Sequence, residues 1–568
     1  AESLLRVTDE ETADRLIAEK IHSGDWAAHR GKSGSRFVNA SVWGLMLTGR
    51  VVTLDDEITG DTTHWMKRLV SSLGEPLVRR AVLQAMKIMG GQYVLGRTIN
   101  EAIRKGTADN RPETLFSFDM LGEGARTEED AQTYFDSYSE AIRLITGSGA
   151  GASVEKSHGI SVKLSALHPR YEFRQKRRVM NELLPRLKSL ALMAKEGGIG
   201  FSIDAEEADR LDLSLDIFEA LARDAQLADW DGLGFVLQAY QKRATHVADW
   251  LILLAKDCNR RFMVRLVKGA YWDGEIKHAQ EQGLPDYPVF TRKCHSDLCY
   301  QVCAQILFSA PQEIYPQFAT HNAHTVAMVQ ELAGNSKEFE FQRLHGMGQL
   351  MYDEILRDKP NTLVRVYAPV GNHQDLLPYL VRRLLENGAN SSFVNRFLDA
   401  KVPPEELLRD PVEETRSHTV ARHSQIPVPR DLYSSEENSW VNAAGVDLAD
   451  HLEVIPLLEG VLAASERTFE SAPIVGGQAQ PGHPRLLYNP ANLQQVVGEV
   501  VEASPLNIEH ALDLACKAQH AWNAVGSEHR ARCLEQLAEL LEQHSQSLIG
   551  LIVVEAGRTI DDAQSEVR

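Results

Sequence analysis

Eight short, β-rich apolar runs, each separated from the next by an amphipathic helical stretch, restrict the middle of this chain to a parallel-sheet architecture. The runs are Leu115–Asp119, Ile160–Leu164, Phe201–Asp204, Phe235–Gln238, Phe262–Val267, Tyr315–Ala319, Phe339–Leu344 and Leu363–Tyr367. Val179–Lys195, Leu213–Asp224 and Ala244–Lys256 are among the helical segments between them. An open doubly wound sheet shows the same alternation, but eight is the number that closes. The pattern therefore predicts an α/β fold built on a (β/α)₈ barrel.

The flanks read differently. From Asp9 to about Lys105 the pattern is helical: Thr8 with Glu11 is a capping-box signature, and Pro76–Met89 opens with proline and stops at Gly90-Gly91. Arg79-Arg80 reads as a solvated helix face. Beyond the barrel, the Pro-rich, charged stretch from Val402 to Arg430 reads as linker. Asn507–Val525 and Ser527–His544 then read as amphipathic helices, and the chain stops inside another helical pattern, Ala563–Arg568, as if cut. The expected organisation is a helical arm and α-domain over 1–110, the barrel over 111–400, a linker over 401–460 and an incomplete last domain over 461–568.

Composition excludes several function classes. Sixty Lys and Arg against seventy-nine Asp and Glu give a net charge of −19, which argues against non-specific wrapping of nucleic acid. No apolar run reaches the roughly 20 residues that span a bilayer, and no signal peptide opens the chain. The six cysteines form no CxxC pair and no zinc-ribbon spacing, so packed free thiols and a reducing, cytoplasmic compartment are expected.

In such a barrel the chemistry sits at the C-terminal ends of the strands. Those ends carry Asp119, Lys163, Asp204, Gln238, Arg265, the run Lys268-Gly269-Ala270-Tyr271-Trp272, Thr320-His321-Asn322, His345 and Tyr367. Any one of these is explained as a core polar residue satisfied by a neighbour. Together they are costly to bury unless a ligand or partners compensate. Tyr379, Arg382, Arg383 and Glu386 follow within two helical turns that Gly388 terminates. Two guanidiniums and a lysine suit a carboxylate, and Lys268 with the backbone near Gly269 suits phosphates. No GxGxxG follows a strand, and His321-x-x-His324 lacks a carboxylate partner, so no metal site is expected.

Six segments carry a resemblance. Ile160–Tyr171, Val264–Asp273, Ala319–His324, Leu344–Gly348, Val366–Gly371 and Tyr379–Ala389 resemble proline dehydrogenase and, more narrowly, the bacterial bifunctional proline utilization A (PutA) flavoproteins, in the same order. The resemblance implies FAD in the barrel mouth and oxidation of L-proline to Δ1-pyrroline-5-carboxylate by hydride transfer to flavin N5. It also implies a membrane quinone as acceptor, peripheral contact with the inner face of the bacterial membrane, and a homo-oligomer in the intact protein. Arg382, Arg383 and Lys163 would clamp the proline carboxylate, Tyr271, Leu344 and Tyr367 would pack on its ring, and Asp204 would support the charged cluster. Arg265 would approach N5 and Gln238 the pyrimidine edge. Lys268 and Gly269 with Thr320, His321 and Asn322 would meet the ribityl and pyrophosphate groups, while Trp272, Glu386 and Phe393 would lie on the flavin and adenosine sides.

Asn489–Asn492, Val497–Val500, Ala521-Trp522, Glu555–Thr559 and Glu566-Val567 resemble the first part of an aldehyde dehydrogenase. In the bifunctional family that domain oxidises glutamate semialdehyde to glutamate with NAD. Its catalytic and NAD-binding segments are expected beyond this sequence, so NAD is not expected to act here. Some members carry an N-terminal ribbon-helix-helix module; this sequence shows none, and no nucleic-acid partner is expected. Two other readings stay open. One is a Schiff-base lyase using Lys163, its pKa lowered by neighbouring cations. The other is a non-enzymatic regulator that binds DNA and senses a metabolite, against which the −19 charge counts.

Overall fold

A computed structural model describes residues 93–108, 114–149, 151–371, 379, 382–383, 409–435 and 440–568. Its contacts divide the chain into two compact units, 1–275 with 288–424 and 276–287 with 425–568.

In the first unit eight parallel strands close into a barrel in sequence order. They are β1 (Leu115–Met120), β2 (Gly159–Val162), β3 (Gly200–Ile203), β4 (Leu233–Gln238), β5 (Phe262–Val267), β6 (Ile314–Ala319), β7 (Glu340–Leu344) and β8 (Val364–Val370). Closure is made by β8 on β1, where Tyr367 pairs with Ser117 and Val370 with Met120. The strands are buried on both faces, which is why they read as continuous apolar runs. Phe218 packs against Phe235 and Phe262 at centroid separations of 5.1 and 5.0 Å, seating an outer helix on β4 and β5. Helix Glu128–Gly147 starts at a reciprocal capping box of Thr127 and Asp130 and buries Ala131, Tyr138, Ala141, Ile142 and Ile145 at helical spacing. Inside the barrel Arg365 pairs with Glu340 at 2.7 Å and donates to Ser157 O at 2.7 Å, so these buried charges are satisfied.

Three expectations are corrected here. The helical reading up to Lys105 fails at Gly96, which pairs with Val370 beside β8; helix resumes at Ile99–Ala108. A Cβ at Gly96 would sit 2.6 Å from Ala102 N, so only glycine permits the approach. Leu164 belongs to a helical turn, Leu164–Leu167, and β8 runs three residues past Tyr367. The Thr8–Glu11 signature, the Pro76–Met89 helix and Arg79-Arg80 lie outside the described residues.

In the second unit, helices His451–Ser465 and Ser545–Ala556 pack through Leu457, Val461 and Ile549, joined by Ala563. Strands β9 (Phe469–Ser471), β12 (Pro484–Asn489) and β13 (Asn492–Val501) form a three-stranded sheet, and β10 (Ile474–Val475) pairs with β11 (Gln478–Ala479). The stretch read as linker contains helix Pro411–Ser417 and most of His451–Ser465, whose internal Pro456 hides it from a periodicity reading. Helices Pro505–Ala524 and Ser527–Gln543 match the expected pair but bury none of their residues. Cys516 and Cys533 are accordingly exposed rather than packed.

Candidate active site

Five strands deliver one charged network to the C-terminal end of the barrel. Lys163, the residue after β2, places Nζ 2.9 and 3.0 Å from the two Asp119 oxygens, 3.3 Å from Asp204 Oδ2 and 3.1 Å from the Tyr367 hydroxyl. The Tyr367 hydroxyl donates to Asp204 Oδ2 at 2.6 Å. Arg265 donates to Asp204 Oδ1 at 2.7 Å and to Ser161 Oγ at 2.9 Å, with its guanidinium 5.2 Å from the Tyr367 ring centre.

Burial disfavours every charge in this network, and the partners decide the outcome. Burial alone would lower the Lys163 pKa, yet Asp119, Tyr367 and Asp204 hold it well above its ordinary value. Burial would raise Asp204, but Lys163 and Arg265 keep it below the usual carboxylate range. Asp119 lies deepest, and there burial wins and pushes the carboxyl up. The lyase reading needed neighbouring cations to depress Lys163; its neighbours are carboxylates, and the amine stays a non-nucleophilic ammonium.

The network floors a cavity of about 330 Å³. Lys163, Asp204, Tyr271, Leu344, Tyr367, Arg382 and Arg383 all line it, as do Gln238, Arg265, Lys268, Gly269, Thr320, His321 and Asn322. Trp272 is not in this lining; its indole donates to Phe290 O at 2.8 Å. Glu386 and Phe393 lie outside the described residues. Among the described lining residues Asp204 is the one carboxylate, against Lys163, Arg265, Lys268, Lys293, Arg343, Arg382 and Arg383. Such a cavity attracts anions.

One wall is built by Arg382, which donates to Glu123 through two bonds of 2.6 and 2.8 Å and lies 5.1 Å over the Tyr271 ring. Burial raises the Glu123 carboxyl, and Arg382 overrides it, leaving it below its ordinary value. Arg383 lies 5.3 Å over the Tyr379 ring. The opposite side is backbone-led. Gly269 holds φ at +131°, and a Cβ there would stand 2.4 Å from the Tyr240 ring. Asn322 Oδ1 accepts from His324 N and Thr325 N, capping helix Ala323–Ala333, while His321 Nε2 accepts the Leu344 N–H at 3.0 Å. Around these groups Arg265 Nε and Gln342 Oε1 are buried and have no hydrogen-bond partner among the described residues.

Sequence reasoning missed four supporting residues. Asp119 stands at a strand end with no role assigned by the sequence, Ser161 lies unremarked within the run Ile160–Leu164, and Glu123 and Asp297 carry no motif. Glu123 sits in the Leu121-Gly122-Glu123-Gly124 loop after β1, and a lone acid in a strand-to-helix loop was the available signal. Asp297 holds both Lys268 and Lys293; its i,i+4 spacing to Lys293 was visible, its meeting with Lys268 was not.

Comparison with known proteins places the barrel in a family. Residues 102–396 match the proline dehydrogenase family model, and residues 479–568 match the aldehyde dehydrogenase family. Residues 1–93 match a model described as the DNA-binding domain of proline dehydrogenase, which runs against the expectation of no nucleic-acid partner. Bifunctional protein PutA of Salmonella typhimurium is 46% identical over 581 residues, covering 100% of this chain and 44% of the relative. The PutA of Rhizobium meliloti is 45% identical over 574 residues, covering 100% and 46%. A crystal structure of Bradyrhizobium japonicum proline utilization A superposes with a TM-score of 0.75 at 46% identity, covering all of this chain and 53% of that one. This chain thus spans about half the length of the relatives it matches. With its barrel covered by the matching model, the chain belongs to the proline dehydrogenase family.

Proposed function

We propose that this chain oxidises L-proline to Δ1-pyrroline-5-carboxylate with FAD held in the barrel mouth. The observation that carries the reading is the adjacent pair Arg382 and Arg383, each lying over an aromatic ring and facing a cavity floored by the Lys163 network. Guanidinium forks match a planar carboxylate, and Tyr271, Tyr367 and Leu344 offer the apolar surface a pyrrolidine ring needs. The donor set suits FAD as well. Lys268, the glycine-permitted backbone at Gly269 and the capped start of helix Ala323–Ala333 suit phosphates, and the unpartnered Gln342 Oε1 and Arg265 Nε suit a polar ring edge.

FAD, when bound, would supply the acceptor for the two electrons that leave with hydride from the ring C–H beside the nitrogen, as the carbon–nitrogen double bond forms. The chain's residues supply the rest. Arg382 and Arg383 fix the substrate carboxylate, and that orientation is worth several kcal/mol of barrier. The surplus of cations lowers the pKa of the bound ammonium, so the amine presents its lone pair as the ring C–H is lost. Lys163 acts through its partners: with its protons on Asp119, Asp204 and Tyr367, it holds the Tyr367 hydroxyl in place. Arg265 offers positive charge where electron density arrives.

The whole protein's second oxidation, a quinone acceptor, peripheral membrane contact at the cytoplasmic face and homo-oligomerisation belong to the same reading. Among the described residues no helix is long and apolar enough to cross a membrane. The test is the visible spectrum of the purified chain before and after anaerobic L-proline. An oxidised-flavin spectrum that bleaches with proline supports the reading; a protein that stays colourless after FAD is supplied refutes it. A DNA-binding role for residues 1–93 is a second reading, favoured by their matching model. Operator binding whose affinity falls with salt is its signature.

A further inference from the structure

Away from the barrel mouth, three ligand-type side chains from two helices converge. Cys294, buried, is the second residue of helix Lys293–Phe308. Glu414 lies on helix Pro411–Ser417 and His418 caps its end, four residues on, so both share one helix face. The Cys294 Sγ, a Glu414 carboxylate oxygen and a His418 ring nitrogen all lie within 4.8 Å of one another. Among the described residues no ion pair joins Glu414 to His418 despite that approach. Three donors around one shared tetrahedral atom, each at about 2.0–2.3 Å, stand roughly 3.3–3.8 Å apart, which a small side-chain closure reaches. The segment carrying two of the ligands is anchored where it needs to be. The His423 N–H donates to Thr291 Oγ1 at 3.0 Å, and Arg292 donates to Arg422 O at 3.0 Å.

We propose that Cys294, Glu414 and His418 bind a borderline divalent cation of the zinc class, with water in the fourth position. The ligand set selects the metal: thiolate and imidazole favour zinc or cobalt over magnesium and calcium. Charge balances too, since a thiolate and a carboxylate neutralise a dication. The Cys294 proton passes to solvent as the sulfur–metal bond forms. The nearby cations are already engaged, Arg292 by the Arg422 carbonyl and Lys293 by Asp297. A bound metal would fasten 411–418 to an outer helix of the barrel, independently of proline chemistry.

The test loads the full chain, stripped with a chelator, with zinc or cobalt(II), and reads metal per chain together with the cobalt spectrum. The expected result is one equivalent with a sulfur-to-cobalt charge-transfer band. Cys294→Ser should abolish the band, and Glu414→Gln and His418→Asn should each weaken affinity by about tenfold or more. These last two positions are half-exposed, so they decide the matter even if Cys294→Ser fails to fold. No bound equivalent in the parent chain overturns the proposal. So does uptake unchanged in all variants, which would assign the metal to the exposed Cys516 and Cys533.

Discussion

Arg382 and Glu123, 259 residues apart in sequence, meet in a two-pronged ion pair of 2.6 and 2.8 Å at the edge of the cavity. The pair fixes the plane of the guanidinium over Tyr271. Glu123→Gln should therefore raise the KM for proline by about tenfold while changing kcat little, because one charge-assisted contact is lost from orientation only. Arg382→Met should lower kcat/KM by about a hundredfold, and Arg382→Lys should recover only part of it, since an ammonium cannot form the fork. Steady-state kinetics with a soluble electron acceptor separates these outcomes.

Removing Lys163 leaves Asp119 and Asp204 buried side by side. Lys163→Met should cost about 3–5 kcal/mol of stability, read as a large fall in melting temperature. The double variant with Asp119→Asn should recover a substantial share of it.

Glu275 offers a pH test. Its carboxylate accepts from the Ala208 N–H at 2.7 Å and the Tyr240 hydroxyl at 3.2 Å. Burial, aided by the charges of Asp209 and Glu207, pushes its pKa up to about 7. A raised carboxyl binds its proton more tightly in the folded state, so stability falls as pH rises from the unfolded value of roughly 4.5 to about 7 and then levels off. Glu275→Gln should match the parent at about pH 5 and melt higher than the parent at about pH 8.

Gly269→Ala places a methyl against the Tyr240 ring at a φ that L-residues avoid. The strain should cost about 1–3 kcal/mol and displace the backbone proposed to face the cofactor. Flavin content per chain should drop more than helical content does by circular dichroism.

Borohydride treatment in the presence of a carbonyl substrate should leave Lys163 unmodified by mass spectrometry. An adduct there would revive the lyase reading, which the raised Lys163 pKa disfavours.

The barrel was legible because β1 to β8 are buried on both faces, so each appears as an unbroken apolar run bounded by helices. The polar residues that end those runs gave the cavity, from Lys163 on β2's end to Tyr367 on β8. What stayed hidden depended on three-dimensional meetings. Asp119 looked like an isolated acid until Lys163 reached it, and Trp272 adjoined site residues in sequence while its indole turned to Phe290. In the second unit Pro456 masked helix His451–Ser465, and the short strands β9 to β11 carried too few residues for a period.

The Lys163 network also bears on how such a barrel can change over generations. Asp119, Ser161, Lys163, Asp204, Arg265 and Tyr367 come from five strands or strand ends, yet each satisfies a charge or hydroxyl of another. A substitution at one position leaves a buried partner unmatched, so its effect depends on what stands at the others. The six are therefore energetically coupled, so the effects of substitutions among them do not add. A tolerated change at the mouth of this barrel therefore begins outside these six positions.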